Sequence, residues 1–444
     1  MAMNKKLLII RKYVLENKSN KKEIHLTKSK HLDIFVALFF LAVLGTAIFI
    51  VLNVFGVFTK VDSYYAIKAS VENGVNYDGD LTCVLHFKGR ENKVNSGKSS
   101  ATKLYTATLK TVHMHVDAEN RYSESSSIAD INFHVNETCT VDSEVYQIVK
   151  DAYAISDIEN NNYSLFAAPL YDEWFKLASF SKNNGNTSQD PLLNETEKAY
   201  LEELTAIIND TSNYSLEFLD NYQIKLSISE NYRQFRSNYD LKEGQPIISL
   251  NVLENAYKLE AVKKAFEENG FIDGYLASTN GLGVTLKGLE TLSHGLYNIS
   301  DNSGEIGYLS LNGDYAFKKT AMFDFNPNDN DEYNFYQLKD NENNIHYRSL
   351  SLNLKTGYPN EYYLSTAIFE KNTDLKKAVL DNQKLLMVDS LEKEEAFLAA
   401  NQDIDLCFNK AESPNSYYFS KNLKEKIYIF KPEVYTINII NKEE

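Results

Sequence analysis

Cysteine is scarce in this 444-residue chain, which has only Cys83, Cys139 and Cys407. They are odd in number and far apart, so the fold does not depend on a disulfide framework; one pair could still bridge outside the cell, and free buried thiols are the equal alternative. The chain also lacks a glycine-rich phosphate loop, a Ser-His-Asp arrangement with a recognisable elbow, and any Cys-His metal spacing. Arginine is rare, with six residues in a chain rich in Asn, Lys, Tyr and Ile. That bias makes Asn-x-Ser/Thr sequons such as Asn136, Asn194 and Asn298 weak signals of glycosylation. Positive charge is short beyond residue 60. Removing the ten cations and three acids of residues 1–60 from totals of 46 and 61 leaves 36 against 58, a net charge of about -22. A surface with that excess of carboxylates repels phosphate backbones, which excludes nucleic acid as a partner of this part.

What is present starts with Ile34 to Thr59, twenty-six residues without a charge and with only Thr46, Asn53 and Thr59 as polar side chains. A membrane-spanning helix needs roughly 20 apolar residues, and a cleaved signal has an apolar region of only about 7 to 15 followed by a small-x-small site. No Ala-x-Ala follows here, so an uncleaved single-pass anchor is expected. Residues 1–33 carry nine Lys or Arg against Glu16, Glu23 and Asp33. Positive flanks stay in the cytoplasm, where such a tail meets anionic lipid. The sequence therefore predicts a cell-membrane protein with its N-terminus inside and the bulk of the chain extracytoplasmic.

Residues 60–102 read as a connector and an edge strand, with the run "LTCVLHF" at 81–87 followed by the polar "GRENKVNSGKSS". His113 and His115 in "TVHMHVD" would share one face of a strand, but no third ligand has a metal-site spacing. In "VDSEVYQIVKDAYAIS", Asp142 or Ser143 is a helix cap, and Val145, Ile148, Val149, Ala152 and Ile155 recur at helical spacing. Further helices are expected at 194–208, 254–269 and 390–400. Strands are expected at "YQIKLSI", "EIGYLSL", "YYLSTAIF" and "KIYIF". That irregular mixture argues for an α+β fold. Trp174, the only tryptophan, is expected in the core. The loop 323–335 begins like a calcium site at Asp324, Asn326 and Asn328, but Asp329 stands where glycine is needed and Phe335 where the last carboxylate is needed. It reads as a solvated loop.

Five segments in order resemble one family. "YSESSSIADIN" (122–132) resembles the first box of the ApbE-type flavin transferases, which move FMN from FAD onto a Ser or Thr of a partner protein. "IISLNVLENAYKLEAVKKAFEENGFIDGYLASTNGLG" (247–283) resembles that family's second box, "LNGDYAF" (311–317) its "TSGDYER" segment and "LSLNLKTGYPN" (350–360) its "HIIDPKTGYPV". The fifth is the helix of "VDSEVYQIVKDAYAIS" with "PLYDEWF" (169–175), which follow the first box in the family's order, and the helix after residue 373 is set against the family's "ADALSTAL". The resemblance implies an ApbE-like domain over 103–430, between the connector and a C-terminal tail at 431–444. It implies FAD and Mg²⁺ as cofactors and surface flavoproteins as partners. By family position the flavin contacts would be Tyr122, Asn132, Asn255, Tyr257, Thr279, Asn280, Gly281, Gly313, Tyr315, Lys355, Thr356 and Gly357, with Asp374 as a metal ligand.

The departures from the pattern carry as much as the matches. Asn255 and Ala256 replace a Lys-Gly pair, so a neutral amide stands for a cation. Leu350 replaces a histidine, and Asn353 and Leu354 replace Asp and Pro. On the metal helix the family's Asp and Thr map to Asp374 with Ala378, or to Ala378 with Asn382; either way an oxygen ligand is missing. These changes point to a degraded domain that binds a flavin nucleotide or serves as an accessory module. The alternatives are an active flavin transferase and a purely structural surface protein.

Overall fold

The computed structural model describes residues 38, 41–51, 59–72, 74–184, 190–242, 244–298, 304–321, 335–339, 345–349, 351–360, 362–371, 374–402, 404–410 and 412–440. They fall into two compact units, residues 1–61 with 90–93 and residues 62–89 with 94–444. In the first, residues 41–51 are helical with exposed apolar side chains such as Leu41 and Phe49. The Thr46 hydroxyl donates to the Ala42 carbonyl at 2.8 Å. Among the described residues no helix is long and apolar enough to cross a membrane. The rest of the expected anchor, and the whole basic tail, lie outside the described residues, as do Leu350 and the calcium-like loop up to 334.

The second unit is built on a nine-stranded sheet whose spatial order follows the chain. Its strands are β1 (Lys60–Ile67), β2 (Leu81–Arg90), β3 (Gly274–Ser278), β4 (Leu282–Thr285), β5 (Ala316–Ala321), β6 (Tyr363–Glu370), β7 (Ile404–Lys410), β8 (Ser413–Ser420) and β9 (Thr436–Ile440). From β2 to β8 each pair is antiparallel, and β9 runs parallel to β8 with Ser416 opposite Thr436. The long excursion between β2 and β3 holds the helices α1 (Glu91–Val116), α2 (Ile128–Phe133), α3 (Ser143–Ala154), α4 (Ala168–Asn184), α5 (Glu195–Asn209) and α6 (Glu254–Glu268). Between β6 and β7 lie α7 (Leu375–Leu385) and α8 (Leu391–Ala400).

Strand alternation divides the core in two. On one face Ile368, Ile404, Leu406 and Phe408 pack with Leu385 of α7 and Leu398 of α8. On the other, Phe317, Phe369, Cys407 and Phe419 meet Leu292, Leu309 and Leu311 from a smaller sheet of residues 291–298, 304–312 and 427–429. Helices and sheets are thus segregated around a mixed core, as an α+β fold requires.

Two expectations need correction. The polar stretch 91–100 is not a connector but the opening of α1, whose Val94, Ala101, Tyr105, Leu109, Val112 and Val116 are buried. Among its first ten residues only Val94 is buried, so the helical period emerges only when the whole 26-residue element is read. His113 and His115 accordingly lie on a helix instead of a strand. Two residues subtend about 200° there, so the rings face apart. The cysteines, by contrast, agree with a fold that does not depend on a disulfide framework: all three are free and buried, and burial pushes the Cys139 thiol up to about 11 and the Cys407 thiol up to about 12.

Candidate functional site

The sheet and the helical excursion enclose a cavity of about 980 Å³ in the second unit. That is in the range of ligand and cofactor pockets. Its floor comes from the sheet side. Lys318 and Thr320 project from one face of β5, Asn280 from the turn after β3, and Gln383 from α7. Its wall is partly aromatic, with Phe133 closing α2 and Tyr171 and Phe175 on α4.

The wall also holds an acidic group of side chains. The Tyr122 hydroxyl donates to Asp117 Oδ2 at 2.5 Å and lies 3.4 Å from His113 Nε2. Burial pushes the Asp117 carboxyl up, but the hydrogen bonds from Tyr122 and from the Asn120 and Glu119 N–H groups outweigh it and hold it below the usual range. Burial holds His113 below its usual range, and the nearby Lys258 charge acts the same way. On α4, burial and the Glu119 charge push Asp172 up to about 6.

The floor is different in kind. Lys318 is 5% exposed, and its Nζ donates to the Asn280 carbonyl. Burial pulls the ammonium down to about 7. Thr320 Oγ1 accepts from Asn382 Nδ2 at 2.7 Å, and Asn382 Oδ1 accepts from the Thr366 hydroxyl at 2.8 Å. Neither Lys318 nor Thr320 stands out in the sequence. The available signal was the alternation in "AFKKT", which puts Ala316, Lys318 and Thr320 on one face of a strand.

Of the residues expected to touch flavin, Asn280 lines this cavity and Tyr122 stands behind it through Asp117 and His113. Asn132 is buried, and its amide is fully engaged with the Ala118 and Ile248 carbonyls and the Ile247 and Ile248 N–H groups. Asn255 is buried in the first turn of α6. Tyr257 borders a second cavity of about 630 Å³ together with His115. The Thr279 N–H donates to Asp80, and Tyr315 is buried with its backbone bonded to Thr285. Gly281 and Gly313 hold φ of +81° and +101°, and a Cβ on Gly281 would come within 2.5 Å of the Lys319 carbonyl oxygen. Lys355 pairs with exposed Glu159 at 2.5 Å, and Thr356 Oγ1 bonds the Asn353 carbonyl at 3.4 Å. Gly357, at φ +76°, packs against Thr205, and its carbonyl accepts from Trp174 Nε1 at 2.7 Å.

The expected metal ligand is placed away from this floor. Asp374 is the exposed N-cap of α7, with Oδ1 accepting the Lys377 N–H at 3.0 Å. One and two turns on, Ala378 offers no oxygen and Asn382 is committed to Thr320 and Thr366. Asp381 is held by Lys377 and Lys384 at 2.7 and 2.8 Å. Among the described residues no group of three or more His, Cys, Asp or Glu could hold a metal ion. A site for Mg²⁺ needs near-octahedral oxygens, and the donors on α7 do not fit one.

Comparison with solved structures decides the architecture. An ApbE protein from Thermotoga maritima matches over 82% of this chain and 99% of its own, at 15% identity and a TM-score of 0.53. The flavin transferase ApbE from Vibrio cholerae matches over 82% of this chain and 100% of its own, at 14% identity and a TM-score of 0.52. The fold is that of the ApbE proteins. At these identities the likeness is one of fold. No protein-family model matches the chain, and no curated protein sequence matches it. Within the ApbE fold, α7 carries the residues that the sequence set against the family's metal helix. β5 begins with the last two residues of the "LNGDYAF" box and supplies Lys318 to the cavity floor.

Proposed function

We propose that this chain is a membrane-anchored, extracytoplasmic ApbE-like protein that binds a flavin nucleotide in the large cavity without transferring its flavin. It would act as an accessory module beside surface flavoproteins. The observation that supports this most is the pairing of a roomy, aromatic-walled cavity with a helix α7 that lacks metal oxygens. Transfer of a phosphoryl-linked group depends on an electrostatic clamp on the phosphates, and loss of its metal costs orders of magnitude in rate. Binding survives such losses better than chemistry does, because chemistry fails at misplacements of about 1 Å. The anchor at 34–59 would hold the module at the membrane surface.

The test uses the full chain in detergent micelles, titrated with FAD with and without Mg²⁺ while flavin fluorescence is followed, then incubated with a Ser/Thr acceptor protein. FAD should bind equally well with and without Mg²⁺, and no flavin should become covalent. A fluorescent acceptor band that survives denaturation would promote the active transferase. Absence of any FAD binding would leave the structural surface protein.

A further inference from the structure

The cavity floor contains a lysine with no counterion among the described residues. Lys318 Nζ is bonded to one backbone carbonyl, and among the described residues no carboxylate lies within ion-pair distance of it. A buried cation satisfied only by a carbonyl is expensive unless something else in the site needs its charge. Two residues along the same strand face, Thr320 receives a hydrogen bond from Asn382, which leaves its own hydroxyl hydrogen to donate. That hydrogen has no acceptor among the described residues. The floor thus offers two kinds of donor, one charged, and its remaining polar groups, Asn280, Ser351 and Gln383, are uncharged. The carboxylates that line the cavity belong to its wall: Asp117 and Glu119 just after α1, Asp172 on α4, Asp240, and Glu254 at the start of α6.

We propose that Lys318 and Thr320 form a metal-independent anion site that takes the phosphate or diphosphate of a nucleotide, the ammonium supplying the charge that the family resemblance assigns to magnesium. Lys318 sits beside Thr320, and Thr320 touches Asn382, which in one of the two registers is set against the family's second metal oxygen, so in that register the positive charge reaches the same neighbourhood from the sheet instead of from the helix. A charge-assisted N–H···O bond is short and strong, and a lysine binds phosphate as a point charge. An anion at Nζ would also restore the full charge of an ammonium that burial has weakened. The site rests on the nucleotide-binding reading only for what is attached to the phosphate.

The experiment is isothermal titration of the full chain in micelles with pyrophosphate in EDTA, for the native protein and for Lys318→Met, Lys318→Arg and Thr320→Val. The native chain should bind, Lys318→Met should bind at least about tenfold more weakly, Thr320→Val a few-fold more weakly, and Lys318→Arg should retain most of the affinity. Thermal melting shows whether each variant is folded, and Lys318→Arg and Thr320→Val decide the matter if Lys318→Met is not. No binding in EDTA, or equal binding by all folded variants, overturns the anion site. Competition with FAD then separates the two readings. Lysine-dependent pyrophosphate binding that FAD does not displace removes the flavin but keeps the site, whereas displacement by FAD supports both.

Discussion

At Lys318 the period of a strand sets a lysine inward among Ala316, Thr320 and the Asn280 turn, where water cannot solvate its charge. Burial lowers its pKa from 10.5 to about 7, so between those values the folded chain binds fewer protons than the unfolded one. The contribution of this group to stability is fully present above the unfolded value and is lost as pH falls through the folded one. Lys318→Met should therefore raise thermal stability at pH 6, by about 2 to 4 kcal/mol, with the gain shrinking toward pH 10. Melting curves at the two pH values check this, and an equal gain at both would mean that the ammonium is hydrated. Gly357 teaches a different lesson at the same scale. The "KTGYP" motif is plain in the sequence, yet the glycine's positive φ, its contact with Thr205 and the bond from Trp174 give it a packing role.

Among the elements, α7 separates a surviving fold from a lost ligand set. Its start at Asp374 was legible as a carboxylate at the right place, but helix geometry engages that carboxylate as a cap. Asp374→Ala should cost about 1 kcal/mol of stability and leave the effect of Mg²⁺ on FAD binding unchanged. Denaturant melts and titrations with and without Mg²⁺ measure the two, and a selective loss of metal response would return Asp374 to the role of ligand. The helices α3, α5, α6 and α8 were readable because each combines a periodic buried face with an end signal. α1 was not read as a helix, because its first turns carry mostly polar residues and its buried residues are spread over all 26 positions.

For the whole molecule the expected topology gives a sharp test. Protease added to intact cells, with any wall removed, should digest the chain beyond the anchor and leave a fragment of roughly 7 kDa. Accessibility of a tag at residue 2 from outside would reverse the orientation. The net acidity beyond residue 60 sets a second boundary on partners, since it disfavours polyanionic surfaces while a single buried cation can still choose a small anion.

Composition and order determined the class of this protein: an uncharged stretch before an acidic α+β chain, and five boxes whose sequence pointed to the ApbE fold. Local patterns suffice for that because periodicity and box order are properties of neighbours along the chain. The cavity was decided only by tertiary structure, since its floor joins residues 280, 318, 320 and 383 from separate elements. Antiparallel pairing of β4, β5 and β6 and the docking of α7 bring those elements together. The burial of Lys318 and its bond to the Asn280 carbonyl depend on groups more than thirty residues away, and no local spacing records them.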